Sequence, residues 1–419
     1  MFELLFLLLP IAAAYGYYMG RNSYKDKRAS KKTEQTNNYL KGVDFFINNE
    51  RDQAVDKFIA YLNEENPTFE SSLALGNLFR SRGEVDRAIS LHTSLANNED
   101  VEPFENELAQ LELACDFMSA GLLDRAESIL QDMVQIPRQR KSAVSLLVKL
   151  YEQERDFDKA IAIGKEHQDV LSPSSLNRIC NYYCELAHNA LLSGKFKETA
   201  ELIAAAHDLV PRSIRPPLLK AELLLKEQAT GTNPDRARRA QVLSLINQIA
   251  TADPATGPLL LALLRQAFTP NLETSSALPS LSTLNDSTKR QLPQDPAYKQ
   301  ALSELAQQTG SAAVIVELAR YLAQYESHAD AELLLLNAIK ERPNIKLYSA
   351  YMGLRSQAQG QERESESIMQ LKSLIDAQIA RHSVYSCSRC GFESSMMFWQ
   401  CPSCRRWDTM RPKRAIDGD

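Results

Sequence analysis

Along residues 73–95, LALGNLFRSRGEVDRAISLHTSL, apolar positions recur at helical spacing and change phase once. Leu75, Leu78 and Phe79 stand at i, i+3 and i+4, one face of a helix. Gly83 breaks the run, and Val85, Ala88, Ile89 and His92 then mark the face of a second helix. Glu84 and Asp86 fall in its first turn, where the helix dipole favours acidic side chains. Neither helix is long enough to be stable alone in water. Each apolar face needs a neighbour, so the pair predicts further copies of itself.

The copies are present. Gly42, Phe45, Ala54 and Phe58 are matched 34 residues later by Gly76, Phe79, Ala88 and His92. A 34-residue period of small residue, aromatic and Ala is the tetratricopeptide repeat (TPR) pattern, in which the small residues let paired helices approach and the aromatic fills the space between units. Ala114, Phe117 and Ala126 mark a third unit, Tyr151 and Ala160 a fourth, and Leu191 and Ala200 a fifth with Pro211 near its end. The second helices share a heading: Asp52-Gln53-Ala54, Asp86-Arg87-Ala88, Asp124-Arg125-Ala126 and Asp158-Lys159-Ala160. A weaker unit spans about 215–250, interrupted by Thr230-Gly231-Thr232-Asn233-Pro234. Residues 269–297, with four Pro and many Ser, Thr and Asn, read as a disordered linker or long loop. The pattern returns with Ala319, Leu322, Ala331, Leu335, Ala338 and Pro343, and a last helical pair ends near 381. The predicted fold is an all-α TPR solenoid of eight or nine units, with repeats over 37–268 and 298–381.

The two ends depart from this pattern. Residues 2–19, FELLFLLLPIAAAYGYYM, are apolar except for Glu3, near the lower length limit for a membrane-spanning helix. A signal peptide would carry its positive charge ahead of the apolar run; here Arg21, Lys25, Lys27, Arg28, Lys31 and Lys32 all follow it. Residues 1–20 therefore read as a transmembrane anchor and 21–36 as a juxtamembrane linker. The positive-inside rule puts the N-terminus outside and the rest of the chain in the cytoplasm.

Charge adds to this picture. The net charge of −5 argues against a general nucleic-acid binder. Residues 1–33 carry six Lys/Arg against Glu3 and Asp26, and residues 382–419 carry six against four acidic residues, which leaves the body between them acidic. Basic ends on an acidic body suit a protein held near an anionic membrane. Seven cysteines, an odd number with four clustered, do not form the spread framework of a disulfide-stapled secreted chain.

The chemistry lies at the C-terminal end, in a module over 382–419. Cys387-x-x-Cys390, ten residues, then Cys401-x-x-Cys404 form two knuckles whose four thiolates can reach one tetrahedral metal, zinc or iron. A module this small needs metal binding for much of its folding free energy. Both tryptophans of the chain, Trp399 and Trp407, fall here beside Tyr385, Phe392 and Phe398, as a mini-core requires. Four thiolates leave no open coordination position, so a structural metal is favoured; a closed site of this kind also suits iron-based electron transfer.

Other candidates carry less. Cys180, Cys184 and His188 stand at i, i+4 and i+8 of one helix, beside Tyr183 and Leu191, and read as buried core before they read as a second metal site. His92 occupies an apolar position of its repeat and reads as packing. His382 is not needed as a ligand. Arg405, Arg406, Arg411, Lys413 and Arg414 offer either contact with phosphate or lipid headgroups or a solvated face, and a zinc-ribbon nucleic-acid binder is the corresponding alternative. No HExxH, Walker loop or nucleophile elbow is present, which excludes those enzyme classes.

LLFLLLPIAAAYGYYMGR at the start, LGNLFRSRGEVDRAI in the repeats and CSRCGF…WQCPSCRRW at the end resemble the lipopolysaccharide assembly protein B family of Gram-negative bacteria. The resemblance is close at both ends and looser through the repeats. It implies a single-pass inner-membrane TPR protein whose rubredoxin-like module packs on the repeats. It implies no enzymatic activity, but regulation of lipopolysaccharide synthesis by bringing the lipid A pathway deacetylase to the membrane protease FtsH, together with other inner-membrane lipopolysaccharide proteins. The metal role carries over to Cys387, Cys390, Cys401 and Cys404. Gly391 follows the first knuckle as in rubredoxins, but Arg405 follows the second and the spacer is shorter, departures that favour a structural metal over electron transfer. The stretch 269–297 has no counterpart in the resemblance, and self-association is left open.

Overall fold

The computed structural model describes residues 68–98, 102–230, 236–269, 292–357 and 362–414, with 416, 418, 419 and seven positions between 41 and 59. The apolar run 2–19, the first repeat over most of its length and residues 270–291 of the 269–297 stretch lie outside the described residues. Among those described, no helix is long and apolar enough to cross a membrane. The chain divides into two compact units, residues 1–171 and 172–419.

Among the described residues from 68 on in the first unit, six helices pair in succession: α1 (Phe69–Ser81) with α2 (Val85–Ala96), α3 (Pro103–Ala120) with α4 (Leu123–Val134), and α5 (Arg140–Glu154) with α6 (Phe157–Glu166). Ala88, Ala114, Ala126 and Ala160 are fully buried, which lets the paired backbones approach closely, while Phe79, Phe117 and Tyr151 fill the space beside them. Four residues after each of those aromatics the chain turns through a left-handed residue: Gly83, Gly121 and, at φ 61°, Arg155. Gly76 has a different reason to be glycine. A Cβ there would lie 2.2 Å from His92 Nε2, so the imidazole occupies the space its repeat keeps open.

His92 is indeed a packing residue, and a polar one. Its Nδ1 lies 2.5 Å from Asp116 Oδ2, with both side chains fully buried. Arg80 Nη1 donates to Asp116 Oδ1 at 2.7 Å and Arg80 Nη2 to Glu112 Oε2 at 2.6 Å. One hydrogen-bonded chain therefore ties α1, α2 and α3. Burial works against the Arg80 charge, but the two carboxylates outweigh it and raise its pKa.

The second unit continues with α7 (Pro173–Leu192), α8 (Phe196–Leu209), α9 (Arg215–Thr230), α10 (Arg236–Ala252), α11 (Gly257–Phe268), α12 (Pro296–Thr309), α13 (Ala312–Tyr325), α14 (His328–Glu341), α15 (Ile345–Gln357) and α16 (Glu362–Arg381). The repeat frame in α7 and α8 sits one residue earlier than Leu191 and Ala200 predict. Leu191 is buried as expected, and so is Ala190, but Ala200 is exposed and Thr199 is the buried small residue nine positions after Ala190. Thr199 takes the small-residue position because its hydroxyl donates to Lys195 O at 2.9 Å. Gly194, left-handed four residues after Ala190, keeps the spacing of the earlier units. Repeat structure resumes at Pro296, capped by the Asp295 side chain, two residues before the expected boundary. On either side of that boundary Arg265 makes a bidentate pair with buried Glu317, both bonds 2.7 Å, and Tyr298 Oη donates to the same carboxylate at 3.1 Å. The three residues join α11, α12 and α13 inside an apolar core that includes Leu260, Leu264, Leu302 and Val314.

A three-stranded antiparallel sheet follows, ordered β2 (Glu393–Ser394), β1 (Tyr385–Cys387), β3 (Met410–Pro412). Tyr385 pairs with Ser394 on one side and Pro412 on the other, and Cys387 with Met410.

Candidate metal centre

The strand β1 delivers Cys387, and the turn after it carries Cys390 back beneath it, with Gly391 N–H donating to Cys387 O at 3.0 Å. The second knuckle repeats this turn, Arg405 N–H donating to Cys401 O at 2.9 Å. Both following residues are left-handed, Gly391 at φ 75° and Arg405 at φ 53°. The missing second glycine therefore changes the cost of the turn and leaves its shape intact.

All four sulfurs lie within 4.8 Å of one another, and they form the one such cluster among the described residues. Cys387 Sγ is 3.7 Å from Cys404 Sγ, and Cys390 Sγ is 3.7 Å from Cys401 Sγ. A metal–thiolate bond of about 2.3 Å gives a tetrahedral edge of about 3.8 Å, so the donor set fits a tetrahedral metal. It does not fit disulfides, whose sulfurs lie about 2.05 Å apart.

The thiols are prepared unevenly. Burial pushes Cys387 up, but the Thr409 hydroxyl and the backbone N–H groups of Cys390 and Arg389 bring it down to about 6. Cys390 is lowered chiefly by the backbone N–H of Phe392. Burial pushes Cys401 up to about 11.

Behind the knuckles, Tyr385, Cys387, Cys401 and Met410 pack on Leu259 of α11. The polar part of the contact centres on Asp408, left-handed at φ 56°. Its Oδ2 accepts from Asn177 Nδ2 at 2.8 Å and from Asn181 Nδ2 at 2.7 Å, both on α7. Asn181 Oδ1 accepts in turn from Arg215 Nη1 at 2.9 Å, and Arg215 Nη2 reaches Glu185 at 2.5 Å. Only 3% exposed, Arg215 lies over both tryptophan rings, 5.0 Å from the Trp399 centroid and 5.7 Å from that of Trp407. Trp407 meets Tyr182 edge-on with centroids 5.9 Å apart. Arg411 pairs with Asp253, and the tail past β3 returns to the repeats, Asp419 Oδ1 accepting from Ala313 N–H at 2.9 Å and Ile416 O from Ile345 N–H at 2.8 Å.

The module and this end of the repeats are thus one packed body. Comparison with known proteins finds both kinds of segment in the sequence. Residues 385–412 match the family described as a rubredoxin metal binding domain, and residues 71–102 match a tetratricopeptide repeat. Lipopolysaccharide assembly protein B of Escherichia coli K12 is 28% identical over 418 residues, covering all of both chains. The Haemophilus influenzae protein of the same name is 29% identical over 425 residues, covering 98% of each. The chain is similar from end to end to lipopolysaccharide assembly protein B. A tetratricopeptide repeat protein from Parabacteroides merdae aligns over 81% of this chain and 98% of its own at 14% identity, with a TM-score of 0.34.

The likeness to lipopolysaccharide assembly protein B includes the metal module, and the sulfurs of Cys387, Cys390, Cys401 and Cys404 come together in it. Cys180 and Cys184 are core, with Cys180 Sγ donating to Ala206 O at 3.4 Å, and no metal cluster among the described residues includes them or half-buried His188. His382 takes no part in the sulfur cluster. Of the basic tail, Arg411 pairs with Asp253 and Lys413 with Glu393 at 2.6 Å, so two of its five cations serve internal contacts. Residue-type reasoning missed Asn181, Arg215 and Asp408. The available signal was Arg215 itself, a cation followed by Pro-Pro at the head of an apolar helix.

Proposed function

We propose that this chain is a membrane-tethered, non-enzymatic adaptor that regulates lipopolysaccharide synthesis. Its repeats present the lipid A pathway deacetylase to an FtsH-type membrane protease, with other inner-membrane lipopolysaccharide proteins as further partners. Residues 2–19 are the anchor, and the positive charge at 21–32 keeps the repeats and the metal module on the cytoplasmic side.

The observation that carries this reading is the packing of a closed four-thiolate module onto stacked helical pairs through Asp408, Arg215 and the tail. Such a site holds its metal with no position for substrate, which supports a structural role over catalysis. The metal, zinc or iron, would supply folding free energy to the module, and the four cysteines would hold it. Internal pairing of Arg411 and Lys413 weighs against a nucleic-acid reading of the tail. The test is crosslinking in intact membranes with identification of the captured proteins. A membrane protease and a lipid A enzyme are expected; recovery of neither, under conditions that capture other inner-membrane proteins, would overturn the proposal.

A further inference from the structure

A cavity of about 630 Å³ lies among α11, α13, α15 and α16, within the roughly 300–1,000 Å³ of ligand sites in general. Leu261, Val316, Leu354 and Ile379, one from each helix, give it apolar wall. Four cations line it as well, Arg265, Arg320, Lys346 and Lys372, against two carboxylates, Glu317 and Asp376. The local excess is positive in a chain whose net charge is −5.

Both carboxylates serve close neighbours. Glu317 takes Arg265 and Tyr298. Asp376 accepts from Ser349 Oγ at 2.5 Å and pairs with Lys372 on its own helix. Arg320 stands 3.9 Å from Glu317 Oε2, which Arg265 already occupies. Lys346 stands 4.0 Å from Asp419 Oδ1, which already accepts from Ala313 N–H. Burial, reinforced by Arg265, lowers the Arg320 pKa by more than Glu317 and Asp376 raise it. The lysine stems are held in place. The Lys346 and Lys372 side chains are 12% and 19% exposed, and a Cβ at Gly353 would lie 3.1 Å from Lys372 Cε, so that stem runs over the α15 backbone where glycine leaves room. Cations placed in advance lower the entropic cost of holding an anion. The rim includes exposed Gln324, His328 and Gln357. An open rim suits a ligand that continues into water, as a segment of a longer chain does, and the glutamine amides can both donate to and accept from a peptide backbone.

We propose that this cavity docks an acidic segment of a partner protein, with one Glu or Asp side chain among Arg320, Lys346 and Lys372 and an aliphatic neighbour on Val316, Leu354 and Ile379. The proposal rests on the adaptor reading above in taking the ligand to be a protein. A free anion would leave the apolar wall unused, and a wholly apolar segment would strip water from the cations and put nothing in its place.

The experiment selects short peptides from a random phage-displayed library on the full chain in detergent. The selected peptide, synthesised with a fluorescein label, is then measured by anisotropy. Enrichment of Glu or Asp beside Leu, Ile or Val is expected. Arg320→Gln should weaken the peptide about 10-fold. Exchanging the peptide's acid for its amide should weaken binding to the wild type by a similar factor and to the Arg320→Gln variant by much less, because the two changes remove one interaction. Gln324→Glu with Gln357→Glu should weaken binding about 3- to 10-fold, and Gln324→Lys with Gln357→Lys should tighten it. Thermal melting of every variant checks that the repeats remain folded. No acidic enrichment, an affinity indifferent to Arg320→Gln and to the rim charges, or displacement by inorganic phosphate at the peptide's own concentration would each overturn the proposal. The assay needs no inner-membrane partner, so it can fail where the crosslinking succeeds, and the reverse.

Discussion

Asn181 Nδ2 donates to Asp408 Oδ2 at 2.7 Å, joining residues 227 positions apart. Asn181 is fully buried on α7, and Asp408 precedes Thr409, whose hydroxyl lies 3.3 Å from the Cys387 sulfur. The bond thus lies between the metal cluster and the repeats. Asn181→Ala and Asp408→Ala should each cost about 1–3 kcal/mol, because each leaves a buried polar partner without its bond. Their combined cost should fall short of the sum by about 1 kcal/mol, as for residues in one network. Chemical denaturation of the metal-loaded chain measures both; strict additivity would mean that the bond does not couple them.

Gly76 and His92 form a second coupled pair. Gly76→Ala drives a methyl group into the imidazole and should cost about 1–3 kcal/mol, while His92→Ala opens a cavity and removes one partner of Asp116. The double variant should be more stable than the sum of the two costs implies, since the methyl enters the space the imidazole leaves. Thermal melting of the three variants decides it.

Arg405 adopts a left-handed conformation that a side chain disfavours by roughly 1–2 kcal/mol. Arg405→Gly should stabilise the module by up to about 1 kcal/mol, net of the extra entropy of glycine in the unfolded chain. Slower metal loss to a chelator is the expected readout, with no change in metal-to-protein ratio.

Glu222 on α9 is pushed up from 4.5 to about 7, chiefly by burial, with Lys226 and Arg215 opposing. The folded state therefore holds a proton that the unfolded state releases across this range. The associated stability is fully present below about pH 4.5 and is lost as pH rises through 7. Glu222→Gln should remove that dependence and leave the chain more stable above pH 7, by at most about 3 kcal/mol. Denaturation midpoints measured from pH 5 to 8 test this; parallel curves for the two proteins would refute it.

The repeats were legible because their packing demands recur locally. Gly76, Phe79 and Ala88 are separated by three and nine residues, and the same steric needs produce Ala114, Phe117 and Ala126. The metal ligands were legible because thiolate geometry restricts their spacing. Ala200 is exposed where the pattern predicts a buried small residue, because Leu191 and Ala200 satisfy a generic apolar-then-small pattern as well as Ala190 and Thr199 do, and both Ala190 and Leu191 are buried. Gly194, four residues past Ala190, marks the turn that would have placed it. The docking residues Asn181, Arg215 and Asp408 were illegible for a different reason. Each is an isolated polar residue whose partner lies on a distant stretch of chain, so no local period announces it. The buried Arg80–Asp116–His92 chain was hidden in the same way, although His92 stood out as a polar residue in an apolar position.

The central claim is that metal at the four cysteines holds the module, and through it this end of the repeats, in one packed body. Amide hydrogen exchange compares the metal-loaded chain with the Cys387→Ser, Cys390→Ser variant most directly. Loss of protection is expected in the module and also in α7 around Asn181 and Tyr182, in α9 around Arg215, and at Ala313 and Ile345 where the tail bonds, while residues 69–166 keep theirs. Loss confined to residues 385–412, with α7 and α9 protected as before, would contradict it.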